Sequence, residues 1–216
     1  MNNIEYADEY IYCLYLRYSY MDADMQQLAI HPNIKKTLKK EGINFELFGS
    51  GINSMSLNYC SLFNDIEQYF GSHGNFFDIK LTTGIYWCNP PYINSLMENC
   101  AKKIINDLKN NKNIGFLVTI PIWDKKTQNI ITDKILINNN QNINQSEFKD
   151  YPIYYLLKPY IKYELIIPKN NIPYFSFKLN KFIFAVDTYI LVIYDTLIES
   201  YITNTIKYLQ NIQKLI

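Results

Sequence analysis

Apolar side chains near the start of the chain recur at helical spacing. Over residues 5–20, Tyr10, Ile11, Leu14, Tyr15 and Tyr18 share one side, which predicts an amphipathic helix. After His31-Pro32, the stretch NIKKTLKKEG predicts a short helix that Asn33 can cap and Gly42 can end. Residues 43–48 (INFELF) predict a strand, and 54–63 (SMSLNYCSLF) a helix beyond the glycines at 49 and 51. Residues 84–88 (GIYWC) predict another strand. Residues 93–110 predict a helix with Leu96, Met97, Cys100, Ile104 and Leu108 on one stripe. The unbroken apolar run 114–120 is the pattern of a strand buried on both faces, with Pro121 as its end. Polar low-complexity sequence predicts a mobile loop near 138–146. Residues 161–167 and 182–194 predict strands, and 197–214 a closing helix. Strands alternating with helices imply an α/β fold with a mostly parallel sheet. The last long apolar run supplies an antiparallel edge pair. The expected organisation is one domain, 1–216, with an N-terminal helical extension (1–42) and a core (43–216).

Composition narrows the class. With 216 residues, 48% of them hydrophobic and 16% aromatic, the chain can bury a full core and is not a disordered segment. A formal net charge of +1 excludes a strongly basic, charge-driven nucleic-acid binder, though not a local basic face. Arg17, the only arginine, and the cluster Lys35, Lys36, Lys39 and Lys40 are the candidates for phosphate contacts. A solvated helix face is the plainer reading of those lysines. No apolar run reaches the roughly 20 residues of a membrane span. The opening MNNIEYADEY is not a secretory signal. Cys13, Cys60, Cys88 and Cys100 lack CxxC spacing, which argues against a disulfide scaffold or zinc ribbon and fits an intracellular compartment, cytoplasmic or nuclear. His31 and His73 are far apart, and no metal site is expected.

The most informative segment is Asn89-Pro90-Pro91-Tyr92. Two prolines stiffen the exit from a buried strand, where open α/β sheets bind ligands. The exocyclic amine of adenine is a poor nucleophile because its lone pair is delocalised into the ring. The Asn89 side-chain carbonyl and the Pro90 backbone carbonyl can both accept hydrogen bonds from that amine, turning its lone pair toward an electrophile. Tyr92 can stack on the base and hold it out of its nucleic-acid stack, worth about 1–3 kcal/mol. The fitting donor is S-adenosyl-L-methionine, already activated as a sulfonium, which leaves positioning as most of the remaining catalysis. Its candidate site is the loop Phe48-Gly49-Ser50-Gly51, with Glu46 or Asp78 taking a hydroxyl, ammonium or adenine amine. A second glycine-bearing loop, Tyr69 to Gly74, adds Phe70 and Gly71.

The run from Phe45 to Ile104, with FELFGSGIN, NYCSLF, YFGSHG and NPPYINSLMENCAKKI in order, resembles the cap-specific adenosine N6-methyltransferases, also called the phosphorylated-CTD-interacting factor family. The likeness extends to LYLRY (14–18), to Ile120-Pro121-Ile122-Trp123 and to the strand around Thr188. It implies a Rossmann-like class I S-adenosylmethionine-dependent methyltransferase fold and methyl transfer to the N6 amine of adenosine in RNA, capped mRNA being favoured. It makes Asn89, Pro90, Pro91 and Tyr92 the catalytic tetrapeptide, and Trp123 a flank of the target base or a cover of the sheet edge. No WW module is expected, and there is little room for a helical cap-recognition region. Two other readings stay open: an adenine-N6 DNA methyltransferase, and a catalytically silent module of this fold that binds RNA or a partner subunit.

Overall fold

The computed structural model describes residues 6–21, 28–30, 32–54, 56, 58–91, 93–122, 152–168, 174–176, 181–183, 187–195 and 199–214. The expected loop near 138–146 lies outside them. In chain order the elements are α1 (Ala7–Tyr20), β1 (Leu28–Ile30), α2 (Pro32–Lys40), β2 (Phe45–Glu46), β3 (Asn58–Tyr59), α3 (Asn64–Glu67), β4 (Gly84–Cys88) and α4 (Asn94–Asn110). There follow β5 (Ile114–Ile122), α5 (Pro152–Leu157), β6 (Ile161–Ile167), β7 (Tyr174–Ser176), β8 (Lys181–Ile183), β9 (Asp187–Tyr194) and α6 (Glu199–Lys214). No described helix is long and apolar enough to cross a membrane.

The main sheet has six strands in the order β3-β2-β4-β5-β9-β6. The pairs β2–β3, β2–β4 and β4–β5 are parallel, while β9 runs antiparallel to both β5 and β6. The fold is thus mixed α/β. The antiparallel edge pair suggested by the sequence is β9 with the edge strand β6, and β9 also runs antiparallel to β5 on its inner side. Its residues Thr188–Ile193 are all buried, because it has a neighbour on each side and helices above and below. A smaller antiparallel sheet joins β1, β7 and β8.

Period-two alternation divides the core. On β4, β5 and β9, Tyr86, Cys88, Phe116, Val118, Leu191 and Ile193 face the layer built by α4 and α5. Ile85, Trp87, Leu117, Ile190 and Val192 face the opposite layer, which receives Ile34 and Leu38 of α2 and Ile202 and Leu209 of α6. Of the stripe read along 93–110, Met97, Cys100, Ile104 and Leu108 of α4 are buried together with Ala101, whereas Leu96 is half-buried and lines the cavity described below.

Two local expectations are corrected. Among the described residues of 54–63 there is no helix; Asn58–Tyr59 is β3, paired in parallel with β2, and the next described helix starts at Asn64. Backbone pairing to an exposed strand edge outweighs weak helical periodicity here. Pro121 does not end β5 but pairs with Thr188 inside it. The last β4 partner of β5 is Val118, so at Pro121 the strand has a ladder on one side only, where a missing N–H is tolerated.

Helix α1 is pinned by one carboxylate. Leu14 and Tyr18 are buried against Ile66. Glu67 is fully buried and accepts hydrogen bonds from the Tyr18 hydroxyl at 3.1 and 3.2 Å, from the Gly51 N–H at 2.7 Å and from the Phe63 N–H at 2.9 Å. Burial, reinforced by the Glu67 charge, pushes the Tyr18 hydroxyl far above its ordinary range.

Tyr18→Phe is therefore expected to cost about 1–3 kcal/mol in chemical denaturation, because it leaves a buried carboxylate short of a donor. Tyr59→Phe is the contrast. Its buried hydroxyl has no hydrogen-bond partner among the described residues, so the variant should be neutral or slightly stabilised. With pKa raised on folding, Tyr18 contributes stability that is complete below the unfolded tyrosine pKa, about 10, and lost at more alkaline pH. The Phe variant should lack that alkaline loss. Equal costs for the two substitutions would contradict the role given to Glu67.

Candidate active site

Strands β2 and β4 lie side by side in parallel, with Phe45 opposite Tyr86 and Glu46 opposite Trp87. The Leu47 N–H donates to the Trp87 carbonyl at 2.7 Å, so the two chains leave the sheet together. From β2 the chain moves to β3 on one side; from β4 it moves to β5 on the other. Connections that part in opposite directions open a crevice at the carboxyl ends of the strands. The structure has a cavity of about 390 Å³ there, within the range of small-molecule sites.

Its walls join the sequence candidates. Glu46, Phe48 and Gly49 come from the end of β2, and Asn89 and Pro91 from the end of β4. Pro90 between them is buried and does not line the cavity. Gly49 is needed for close approach: a Cβ there would sit 3.2 Å from Ser54 Cβ and from Tyr59 Cβ and Cδ2. Its N–H donates to the Cys60 carbonyl at 2.8 Å, fixing the loop over β3. Ser50 is buried under the loop, its N–H donating to Asn53 Oδ1 at 2.9 Å and its hydroxyl accepting from the Asn53 N–H at 3.1 Å.

Other candidates are placed elsewhere. Gly51 is exposed and turned toward Leu14 and Glu67 rather than the cavity. Phe70 packs beside Leu14 and Tyr18, and Gly71 only closes the turn after it, at φ +100°. Asp78 is exposed and does not line the cavity. The phosphate-patch reading of Lys35 is also corrected. Its ammonium is buried, 3.2 and 3.3 Å from the two oxygens of Glu46. Arg17 Nη1 donates to both carboxylate oxygens of Asp65, at 2.7 and 2.9 Å. Lys36 and Lys39 remain solvated on α2. Tyr92 and Trp123 lie outside the described residues.

Several wall residues escaped the sequence reading. Tyr18 and Met21 contribute from the N-terminal region, and Ser61, Asn75, Phe76 and Phe77 from the β3 side. Phe48, Phe76 and Phe77 form a cluster of ring contacts at 5.5–6.1 Å between centroids. The pair Phe76-Phe77 precedes Asp78 directly, so the run GNFFD carried a signal that the acidic residue drew away.

Electrostatically the cavity is simple. Glu46 is the only charged residue among its described walls. Burial pushes the Glu46 carboxyl up from its ordinary value, while Lys35 and the Ser54 hydroxyl, 3.1 Å away, pull it back. Burial raises the Cys60 thiol to about 12 against the pull of Lys103, so that wall is neutral. One acidic side chain, paired with Lys35 behind it, thus offers acceptor oxygens in an otherwise neutral, aromatic cavity.

A profile of the family described as phosphorylated CTD interacting factor 1 WW domain matches residues 1–153. Over 121 residues the chain is 31% identical to a Mus musculus protein named mRNA (2'-O-methyladenosine-N(6)-)-methyltransferase, covering 52% of this chain and 17% of that protein. The Homo sapiens protein of the same name is 35% identical over 83 residues, covering 38% of this chain and 12% of that one. The chain thus matches less than a fifth of the length of either relative. With most of its length matched, including α1, both strands that shape the cavity and the Asn-Pro-Pro corner, the chain belongs to the phosphorylated CTD interacting factor 1 WW domain family.

Proposed function

We propose that this chain is an S-adenosylmethionine-dependent methyltransferase acting on the N6 amine of adenosine in RNA, with the cap-adjacent adenosine of mRNA as the favoured target. The observation that carries the reading is the shared cavity: Asn89 and Pro91 from one strand end face the same space as Glu46, Phe48 and Gly49 from its parallel neighbour. The amine and the polymer are those in the names of the mouse and human relatives. We read the mixed sheet as the Rossmann-like class I methyltransferase core and residues 1–216 as one domain. Support comes from helices on both faces and a ligand crevice where the chain connections diverge.

The residues fit the donor. Glu46 offers the anion, the aromatic trio offers apolar faces, and Gly49 leaves the backbone uncovered. Bound S-adenosylmethionine supplies an activated methyl group. The chain supplies position. Asn89 and the Pro90 carbonyl would accept hydrogen bonds from the two protons of the adenine amine, freeing its lone pair to point at the methyl carbon. With donor held against Glu46 and Gly49, the chain's part would be to hold the amine nitrogen in line with the methyl carbon, the donor sulfur leaving as thioether and the amine proton passing to solvent. Tyr92, next to Pro91, is assigned to stacking on the base.

Asn89→Ala should lower turnover by roughly 10²-fold or more, as the loss of one preorganised electrostatic contact does elsewhere. Donor affinity should change little. Mass spectrometry of nucleosides from capped RNA, uncapped RNA and DNA, each treated with the chain and donor, measures the product. Absence of N6-methylated adenosine from all three would defeat the reading. Gly49→Val is the opposite case. Overpacking by about 1–3 kcal/mol against Tyr59 and Ser54 should weaken donor binding by about tenfold, read by calorimetric titration.

A further inference from the structure

Lys35 lies at the junction of four parts of the site. From α2 its ammonium reaches both oxygens of Glu46, the last residue of β2. It comes within 3.5 Å of the Asn53 carbonyl in the glycine loop. It also sits 4.7 Å over the ring of Trp87, two residues before Asn89. Trp87 is itself fixed by its indole N–H, which donates to the buried Thr119 hydroxyl at 2.9 Å. One cation therefore touches both strands whose ends make the cavity. A buried ion pair is a poor source of stability, since its desolvation cost is large and an apolar pair of similar volume often does as well. What the pair supplies that an apolar pair could not is a carboxylate on the cavity wall.

We propose that Lys35 is a positioning residue for the methyl donor: its ammonium holds the Glu46 carboxylate in place as the cavity's one anion, the group that receives the cationic ligand. The inference rests on the donor reading above. Besides Lys35 on α2, Glu46 meets the Ser54 hydroxyl from the glycine loop. The other titratable wall groups are Tyr18 on α1 and Cys60 after β3, both pushed up by burial and so neutral near pH 7. Without the Lys35 charge, burial acts unopposed by a cation, and Glu46 holds its proton to higher pH. Donor binding then falls off at a higher pH than it does in the native chain.

Calorimetric titration of the full chain with S-adenosylmethionine between about pH 6 and pH 9 reads this directly. Native binding should hold to lower pH than that of Lys35→Gln. Lys35→Gln should bind about tenfold more weakly than the native chain at the acid end and recover toward the native value at the alkaline end. Lys35→Arg should restore the native profile. Glu46→Gln should be weak at every pH. The double variant K35Q/E46Q carries no unpaired buried charge, so it keeps the test open if Lys35→Gln does not fold; it should bind as weakly as Glu46→Gln alone. Failure of the native chain to bind the donor would overturn the donor reading together with this role. Native binding accompanied by an unshifted, undiminished profile in Lys35→Gln, or by near-native affinity in the double variant, would overturn the role alone.

Discussion

The parallel pairing of β2 with β4 is the constraint on which the rest of this molecule depends. β2 is only two residues long, yet it is held on both sides, by β3 and by β4. The Leu47 N–H bond to the Trp87 carbonyl extends that pairing one step beyond the strand. If β2 slipped by one residue, Glu46 would exchange faces with Phe45 and leave the cavity for the opposite side of the sheet. The side chains that reach across the register resist such a slip. Lys35 binds Glu46 and covers Trp87, while Phe45 meets the Tyr86 ring at 5.4 Å.

The glycine loop is short of regular structure and compensates with specific donors and acceptors. Gly49 is tied to Cys60, Ser50 to Asn53, and Gly51 to Glu67. Glu67 also receives the Tyr18 hydroxyl, so the N-terminal helix and the loop share one buried carboxylate. Residues 18, 21 and 29 reach the cavity wall through that arrangement, and Ile30, Ile34 and Leu38 enter the core on the other face of the sheet. The N-terminal stretch is thereby part of both the site and the core.

Long elements were legible in the sequence because their own side chains carry the signal. The stripe of α4 and the continuous apolar run of β5 are each longer than one local accident could produce, and the Asn-Pro-Pro corner follows β4 where it was expected. What failed was set by distant partners. β3 is two residues whose conformation is decided by an edge they happen to meet. Lys35 reads as one more surface lysine beside Lys36, Lys39 and Lys40, and only the position of Glu46, eleven residues away, makes it a buried one. Asp78 looked like a ligand because it is charged, whereas the useful residues beside it are two phenylalanines. In α1 the apolar stripe is narrower than the pattern suggested: Leu14 and Tyr18 are buried, but Ile11 and Tyr15 stay about half exposed, at 50% and 52%.

The distribution of charge in the cavity bears on why the corner carries an asparagine. In the proposed transfer, positive charge begins on the donor sulfur and moves to the acceptor nitrogen before a proton leaves. A second carboxylate at position 89 would favour the charged nitrogen but would stand near Glu46 in the same cavity, where like charges raise each other's proton affinity. One of the two would then be protonated and lost as an acceptor over part of the working range. An amide has no such titration. Its carbonyl accepts from the amine at any pH, and the single anion remains at the end of β2, where Lys35 balances it. In the proposed reading, a neutral acceptor on β4 beside a paired carboxylate on β2 thus keeps like charges apart in a cavity whose described walls carry one acidic residue.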